Sequence, residues 1–155
     1  MKLYLAAPLF TQSERIWNRR LAEALAGQLP GWEVILPQDF KVGEQFNRKD
    51  HYGDIFRRCI ESIDQSGVVV AILDGADSDA GVAFEMGYAY ARQIPVIGVR
   101  TDFRDNQERG VNLMLSRSTD RFVTDPSFME DSVQLAKNIA KRVKAAVPPP
   151  KETRK

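Results

Sequence analysis

Three carboxylates stand at or inside one apolar segment of the sequence. Residues 80–91 read AGVAFEMGYAYA, with Glu85 at their centre and Asp77 and Asp79 just before them. The segment is apolar nearly all round, which predicts a buried helix. A carboxyl group there must be hydrogen-bonded, partly hydrated or protonated, because an unpaired buried charge is costly. Glu85 is therefore a candidate nucleophile or general acid, and a partner of the helix dipole or of an arginine is the structural alternative.

The neighbouring acids and glycines have both structural and chemical interpretations. Asp79 directly precedes the predicted helix and is expected to be its N-cap, which does not exclude substrate contact. Asp74 and Gly75 end an apolar run and could form a simple turn. Gly81 and Gly87 each cost about 1 kcal/mol relative to alanine inside a helix. Two such costs in one helix suggest that a ligand or another backbone approaches closely.

Metal and phosphate chemistry receive little support from the sequence. It contains neither a P-loop nor a G-x-G-x-x-G motif, and the acidic loop DGADSDAG would repel a phosphate from the helix that follows it. The single cysteine, Cys59, excludes an internal disulfide framework and fits a reducing cytoplasm. Cys59 and the single histidine, His51, are too few for a structural zinc site.

The composition is that of one soluble globular domain. The chain has 155 residues, of which 43% are hydrophobic and 28% charged, so it can bury one core. Its net charge of +1 gives no strong attraction to nucleic acid or to a membrane surface. No apolar window approaches the roughly 18 residues of a transmembrane span. The N-terminal run MKLYLAAPLF is short and is followed at once by polar residues, which favours a first strand over a secretion signal.

Apolar runs alternate with helical patterns along the chain. Strands are predicted at 2–6, 32–37, 67–73, 94–99 and 121–124, and helices at 13–29, 50–65, 80–92 and 127–145. This alternation predicts an α/β fold, a flavodoxin-like doubly wound sheet of about five parallel strands with helices on both faces. We expect a single domain over residues 1–146 and a flexible, Pro-rich basic tail over 147–155.

Ligands of such sheets bind at the carboxyl ends of the strands. That rule selects residues 6–12, 37–47, 74–80 and 100–112 before any motif is considered. At these positions the sequence resembles the nucleoside 2-deoxyribosyltransferases and their relatives that hydrolyse nucleoside 5'-monophosphates. The similarity runs over roughly residues 2–123 and centres on VVVAILDG followed by DAGVAFEMGYAYA, which is similar to the family's D-x-G-x-x-x-E-x-G-x-A segment.

The resemblance implies a role for individual residues. Glu85 takes the place of the nucleophile and Asp79 that of the acid that meets the base. LYLAAPLF resembles the family's first strand, where Tyr4 takes the place of the tyrosine that orients the nucleophile. VNLML resembles a late motif whose asparagine, Asn112, reaches the sugar 5'-hydroxyl, usually from a neighbouring subunit. The resemblance further implies substrate contacts at Ala7, Phe10, Asp74, Gly75 and Gly81.

One part of the family pattern is missing. Relatives usually carry another Asp in the second helix, eight residues before a second acidic position that opens the central strand. Cys59 and Gly67 occupy these places here. A thiol neither accepts two hydrogen bonds nor hands over a proton as a carboxyl group does. Asp54 or the loop residue Asp77 could substitute for the missing acid.

The implied activity is the transfer of 2-deoxyribose between nucleobases through a covalent glycosyl-Glu85 intermediate, with deoxynucleosides and free bases as substrates. No metal or organic cofactor is implied. Residues 38–50, with Phe40 and Phe46, are expected to form a lid that excludes water. An asparagine reaching across an interface implies a homodimer or a higher homo-oligomer with shared active sites.

Two other functions stay open at this point. Ser13 and Arg15 in the first loop could bind a 5'-phosphate, which would favour an N-glycosidase acting on nucleoside 5'-monophosphates. A non-catalytic nucleoside-binding module would use the acidic loop only to cap a helix. Such a module has little need of an acid inside an apolar helix.

Overall fold

Five parallel strands form the centre of the computed structural model, which describes residues 1–40, 49–104, 111–125 and 131–147. Their order across the sheet is β2-β1-β3-β4-β5. The strands span Lys2–Ala6 (β1), Glu33–Ile35 (β2), Val68–Ile72 (β3), Val96–Arg100 (β4) and Arg121–Thr124 (β5). This is the flavodoxin-like doubly wound order, so the predicted fold class is confirmed.

Helices cover both faces of this sheet. They span Gln12–Gln28 (α1), Lys49–Asp64 (α2), Ala80–Ala91 (α3), Leu113–Arg117 (α4) and Ser132–Ala146 (α5), and a 3-10 turn covers Pro37–Asp39. Helices α1 and α5 enclose one hydrophobic core with one face of the sheet, and α2 and α3 enclose a second core with the other face. The two cores explain why every residue of β3 and β4 is buried, as expected for parallel strands covered on both sides.

The boundaries of two elements differ from the prediction for local reasons. Strand β4 begins at Val96, two residues later than predicted, because the Ile94 amide still donates to Ala89 O at the end of α3. Helix α5 begins at Ser132, where the Asp131 side chain caps it by accepting from the Gln134 amide at 2.8 Å. Residues 127–130 of the predicted helix lie outside the described residues.

The prediction that helix α3 is buried is wrong for much of its surface. Val82, Met86 and Ala89 are buried against the sheet, whereas Phe84 and Tyr90 are 53% and 64% exposed. A helix lying on a sheet buries only the stripe that faces the strands, whatever the composition of its outer face. Helix α3 therefore presents an apolar outer face to its surroundings.

Several expectations concern residues that the structure describes only in part. Phe40 packs against the second core, but Phe46 and residues 41–48 of the predicted lid lie outside the described residues. The same is true of residues 148–155 in the predicted tail, so that both expectations stay predictions. None of the helices in the described ranges is long and apolar enough to cross a membrane.

Candidate active site

A short hydrogen bond connects the middle of β1 with the second turn of α3. The Tyr4 hydroxyl donates to Glu85 Oε1 at 2.5 Å. Tyr4 is fully buried in the core between the sheet and helices α2 and α3. Side chains on a helix lean toward its N-terminus, and the N-terminus of α3 lies at the carboxyl edge of the sheet. The structure thus brings together two of the residues predicted to be catalytic.

The surroundings of Glu85 raise the pKa of its carboxyl group to about 7. Burial is the main cause, because it disfavours the charged form. The hydrogen bond from Tyr4 opposes this effect, the negative charge of Asp79 adds to it, and a hydrogen bond with Cys59 opposes it again. Burial and the charge of Glu85 also raise the pKa of the Tyr4 hydroxyl, so that Tyr4 stays a donor. Glu85 can therefore be ionised at neutral pH while it is held in one orientation.

Cys59 belongs to the same cluster. Cys59 packs against the same core as Tyr4, and burial raises the pKa of its thiol so that it stays protonated beside Tyr4 and Glu85. Reasoning from the sequence left Cys59 without a role, because a cysteine on the apolar face of a helix is usually a small core residue. The signal that pointed to it was its place in the family pattern, where relatives carry an aspartate.

Asp79 has the capping role that the sequence predicted. Its Oδ1 accepts a hydrogen bond from the Val82 amide at 2.9 Å, as the N-cap of α3. A Cβ atom on Gly81 would lie only 3.0 Å from that same oxygen. The close approach that Gly81 permits is therefore that of the Asp79 carboxylate. Around Gly87, a Cβ atom would meet nothing within 4 Å.

Asp74 and Gly75 are tied to the loop that follows β4. Asp74 Oδ1 accepts from the amides of Thr101 at 2.6 Å and Asp102 at 2.9 Å, and Oδ2 accepts from the Thr101 hydroxyl at 2.6 Å. Gly75 has a φ of +108°, a conformation that favours glycine. These contacts give both residues a structural role, and their contact with substrate stays a prediction.

The other predicted substrate-binding residues border the same edge of the sheet. Ala7 is buried in the first core, whereas Phe10 is 74% exposed. Asn112 is exposed and caps α4 by accepting from the Met114 amide at 2.9 Å. Capping occupies the side-chain oxygen of Asn112 and leaves its amide nitrogen for other partners. The contacts of Ala7, Phe10 and Asn112 with substrate stay predictions.

The two proposed substitutes for the missing acid differ in availability. Asp54 lies on the exposed side of α2 and forms an ion pair with Arg57, whereas Asp77 is exposed in the acidic loop. In the described part of the chain, no three side chains of the metal-binding types come together. The cluster of Glu85, Tyr4 and Asp79 thus offers a nucleophilic carboxylate, a donor that orients it and a second carboxyl group for proton exchange.

Comparison with known proteins links this cluster to a family. A family model described as nucleoside 2-deoxyribosyltransferase matches residues 3–114. This range contains Tyr4, Asp79, Glu85 and Asn112.

Solved structures give a consistent picture of the fold. A conserved protein from Enterococcus faecalis is 28% identical, with a TM-score of 0.75 over 92% of this chain and 98% of the other. A 2-deoxyribosyltransferase from Bacillus psychrosaccharolyticus is 23% identical, with a TM-score of 0.70 over 88% and 90% of the two chains. A CMP N-glycosidase from Clostridium botulinum is 16% identical, with a TM-score of 0.57 over 93% and 99%. At 23% and 16% identity, the last two structures show that the fold is shared and no more than that.

Proposed function

We propose that this chain, which belongs to the nucleoside 2-deoxyribosyltransferase family, moves 2-deoxyribose from one nucleobase to another through a covalent intermediate on Glu85. Members of this family act on N-glycosidic bonds of nucleosides. The observation that carries the proposal is the 2.5 Å hydrogen bond that fixes the Glu85 carboxylate on Tyr4. An oriented, partly desolvated carboxylate next to a second acid is what a double displacement at a sugar carbon requires.

The first displacement forms the intermediate. A carboxylate oxygen of Glu85 attacks C1' of the deoxyribose while the bond from C1' to the base nitrogen breaks. The electron pair of that bond goes to the base, and the leaving base takes up a proton from water, which the Asp79 carboxylate passes on to it. Tyr4 keeps the attacking oxygen in place, since its hydroxyl stays protonated.

The second displacement reverses these roles. The nitrogen of an incoming base attacks C1', the ester bond from C1' to Glu85 breaks, and its electron pair returns to the carboxylate. Asp79 takes the proton that the incoming base loses. Two inversions at one carbon restore the original configuration. Nothing is oxidised or reduced in either step.

The start of α1 favours free nucleosides over 5'-monophosphates. The Thr11 amide donates to Glu14 Oε2 at 2.7 Å, and the Glu14 amide donates to the Thr11 hydroxyl at 3.2 Å. The bond from Thr11 lowers the pKa of Glu14, so a negative charge already occupies this helix end. A phosphate there would meet a like charge and satisfied donors, whereas a neutral 5'-hydroxyl would not.

Arg15 and Ser13, the residues expected to bind a 5'-phosphate, already have hydrogen-bond partners within the first loop. Arg15 Nη1 donates to Leu9 O at 3.0 Å and to Phe10 O at 2.9 Å. The Ser13 hydroxyl lies 3.1 Å from that of Thr11. We therefore rank the N-glycosidase second, and the non-catalytic binding module third.

An apolar outer surface supports a homo-oligomer with shared active sites. Phe84 and Phe56 bring their ring centroids within 5.9 Å on the exposed sides of α3 and α2. Met114, next to Asn112, is 76% exposed on α4, which adjoins α3. A second copy bound to this surface would bring Asn112 close to the partner's sugar site. Light scattering of the protein tests this arrangement: a dimer or a larger assembly is expected, and a monomer at working concentration would contradict it.

Incubation with deoxyinosine and adenine tests the activity itself. Chromatography should detect deoxyadenosine and hypoxanthine in equal amounts. Release of hypoxanthine and deoxyribose without a new nucleoside would favour a hydrolase, and release of base only from 5'-monophosphates would establish the N-glycosidase. No turnover of any of these compounds would favour the binding module.

A matched variant shows whether any turnover comes from the proposed site. Glu61 lies on the exposed side of α2, so Glu61→Gln makes the same chemical change as Glu85→Gln away from the cluster. We expect full activity from the former and none from the latter. Mass spectrometry of the wild-type protein mixed with deoxynucleoside alone should detect the deoxyribosyl group on the peptide that contains Glu85.

A further inference from the structure

Arg100 is the largest fully buried side chain among the described residues, 2% exposed at the carboxyl end of β4. An arginine is rarely buried without partners. Its Nη1 donates to Leu73 O at 2.6 Å and to Gly75 O at 3.3 Å, and its Nη2 donates to Gly75 O at 3.3 Å and to Arg104 O at 3.2 Å. The guanidinium group thus binds the backbone of the acidic loop that leads into α3.

Asp102 closes this connection from the other side. It accepts a hydrogen bond from the Gly75 amide at 3.0 Å and forms an ion pair with Arg104. The hydrogen bonds from Arg104 hold its pKa well below the ordinary value, so it stays ionised, 3.9 Å from Arg100. Together with the three hydrogen bonds that Asp74 accepts, these contacts lock the loop after β3 to the loop after β4.

Burying the guanidinium group of Arg100 costs more free energy than burying an apolar side chain at the same position would. Among the described residues, no hydrogen-bond acceptor lies at Arg100 Nε, which is buried, and an unsatisfied buried donor destabilises a fold. An apolar side chain of similar volume would often be at least as stable at a buried position. An apolar side chain could not, however, bind the carbonyls of Leu73 and Gly75.

We propose that Arg100 is a positioning residue of the active site. Its guanidinium group fixes the acidic loop through hydrogen bonds to backbone carbonyls of that loop, and so sets the place of Asp79 relative to Glu85. Asp79 follows Gly75 by four residues and is itself the N-cap of α3. A shift of the loop would therefore move the proton-exchanging carboxyl group and the helix that carries the nucleophile relative to each other.

The planar fork of a guanidinium group is essential to this role. Its two terminal nitrogens reach the carbonyls of Leu73, Gly75 and Arg104 at once. A lysine would keep the charge but present one nitrogen at one point. Arg100→Lys consequently separates the geometry of the lock from its charge.

The proposal rests on the proposed function, and the test has one readout that does not. Hydrogen exchange of the backbone amides, followed by mass spectrometry, should become at least about tenfold faster for residues 74–82 in Arg100→Lys. Steady-state kinetics should give a kcat lowered about 10- to 100-fold, since a misplacement of about 1 Å costs this much. The KM for the nucleoside should change less than about threefold, because an interaction made mainly in the transition state is lost.

Two further variants make the test specific. Asp120→Ala removes a hydrogen bond that the Val96 amide donates at 2.8 Å at the opposite end of β4, and we expect no effect on kcat from it. Thr101→Val removes only the hydroxyl that donates to Asp74 Oδ2. It should lower kcat a few-fold, and it tests the lock if Arg100→Lys does not fold.

The outcomes separate the two proposals. Unchanged exchange of residues 74–82 in Arg100→Lys, or in Thr101→Val if the former does not fold, would overturn the lock. Faster exchange with an unchanged kcat, or an equal loss of kcat in Asp120→Ala, would overturn the positioning role. A wild-type protein without transfer or hydrolysis would overturn the proposed function, while the exchange experiment would still decide whether Arg100 holds the loop.

Discussion

Tyr4 Oη and Glu85 Oε1 lie 2.5 Å apart although the two residues are 81 positions apart in the sequence. The bond joins a strand in the middle of the sheet to a helix on its surface. The direction of the Glu85 carboxylate therefore depends on how α3 packs on β1, and each change at this contact should alter the chemistry in a definite direction.

Replacement of the proposed nucleophile should abolish the reaction without disturbing the site. The amide oxygen of Glu85→Gln can still accept from Tyr4, but an amide is too poor a nucleophile to attack the sugar. We expect kcat to fall by a factor of at least about 10³, measured as the rate of deoxyadenosine formation. A variant with more than a tenth of the wild-type rate would exclude Glu85 as the nucleophile.

The same variant should be more stable than the wild type above neutral pH. The carboxyl group of Glu85 has an ordinary pKa of 4.5 and a folded-state pKa of about 7, so the native protein holds this proton more tightly than the unfolded chain. The free energy of unfolding should therefore fall as pH rises from about 4.5 to 7. Relative to Glu85→Gln, the loss at pH 8 should be on the order of 1–3 kcal/mol, measured by chemical denaturation. If the free energy of unfolding depended on pH equally in both proteins, the pKa of Glu85 would not be raised in the folded state.

Removal of the Tyr4 hydroxyl should move the pH dependence of the reaction. The hydrogen bond from Tyr4 lowers the pKa of Glu85, so Tyr4→Phe should shift the acid limb of kcat/KM to higher pH. The carboxylate also loses its orientation, and kcat should fall about 10- to 100-fold at the optimum. Tyr90→Phe removes an exposed hydroxyl from the same helix as a control. An unmoved acid limb in Tyr4→Phe would contradict the proposed role.

Two substitutions of Asp79 should separate its capping from its chemistry. Asparagine caps helices about as well as aspartate, so Asp79→Asn should keep the thermal stability but lose proton exchange, with a fall in kcat of about 10²- to 10⁴-fold. Asp79→Ala should lose the cap as well and be less stable by about 1 kcal/mol. If Asp79→Asn retained full activity, the carboxyl group of Asp79 would not take part in the reaction.

Cys59 should affect the same pH profile more weakly than Tyr4. Its hydrogen bond also lowers the pKa of Glu85, but less than that of Tyr4. Cys59→Ala should therefore shift the acid limb of kcat/KM upward by less than Tyr4→Phe does. Cys59→Ser restores a donor and should return the limb toward its wild-type position. A downward shift in Cys59→Ala would show that the thiol does not stabilise the carboxylate.

The sequence predicted those parts of the molecule that depend on local pattern. The β-branched run before Asp74 predicted a strand covered on both faces, and Asp79 before an apolar segment predicted a capped helix, as found. Tyr4 and Glu85 could be paired only through the family resemblance, because nothing in their local sequence indicates that they meet.

Other features could not be predicted because they depend on distant partners. The burial of Arg100 requires the carbonyls of a loop about 25 residues earlier, and nothing in its local sequence indicates this contact. The exposed face of α3 was missed because an apolar helix has no polar stripe to mark its outer side. The contact of Cys59 with Glu85 depends on the packing of α2 against α3.

The separation of the two cores has a practical consequence. Helix α5 lies on the face of the sheet opposite to α2 and α3, and its Lys137 and Lys141 are exposed. Amine coupling of these lysines to a solid support would hold the protein by the side away from Glu85 and from the apolar surface of Phe56, Phe84 and Met114. Attachment through α5 would leave both Glu85 and this apolar surface facing away from the support.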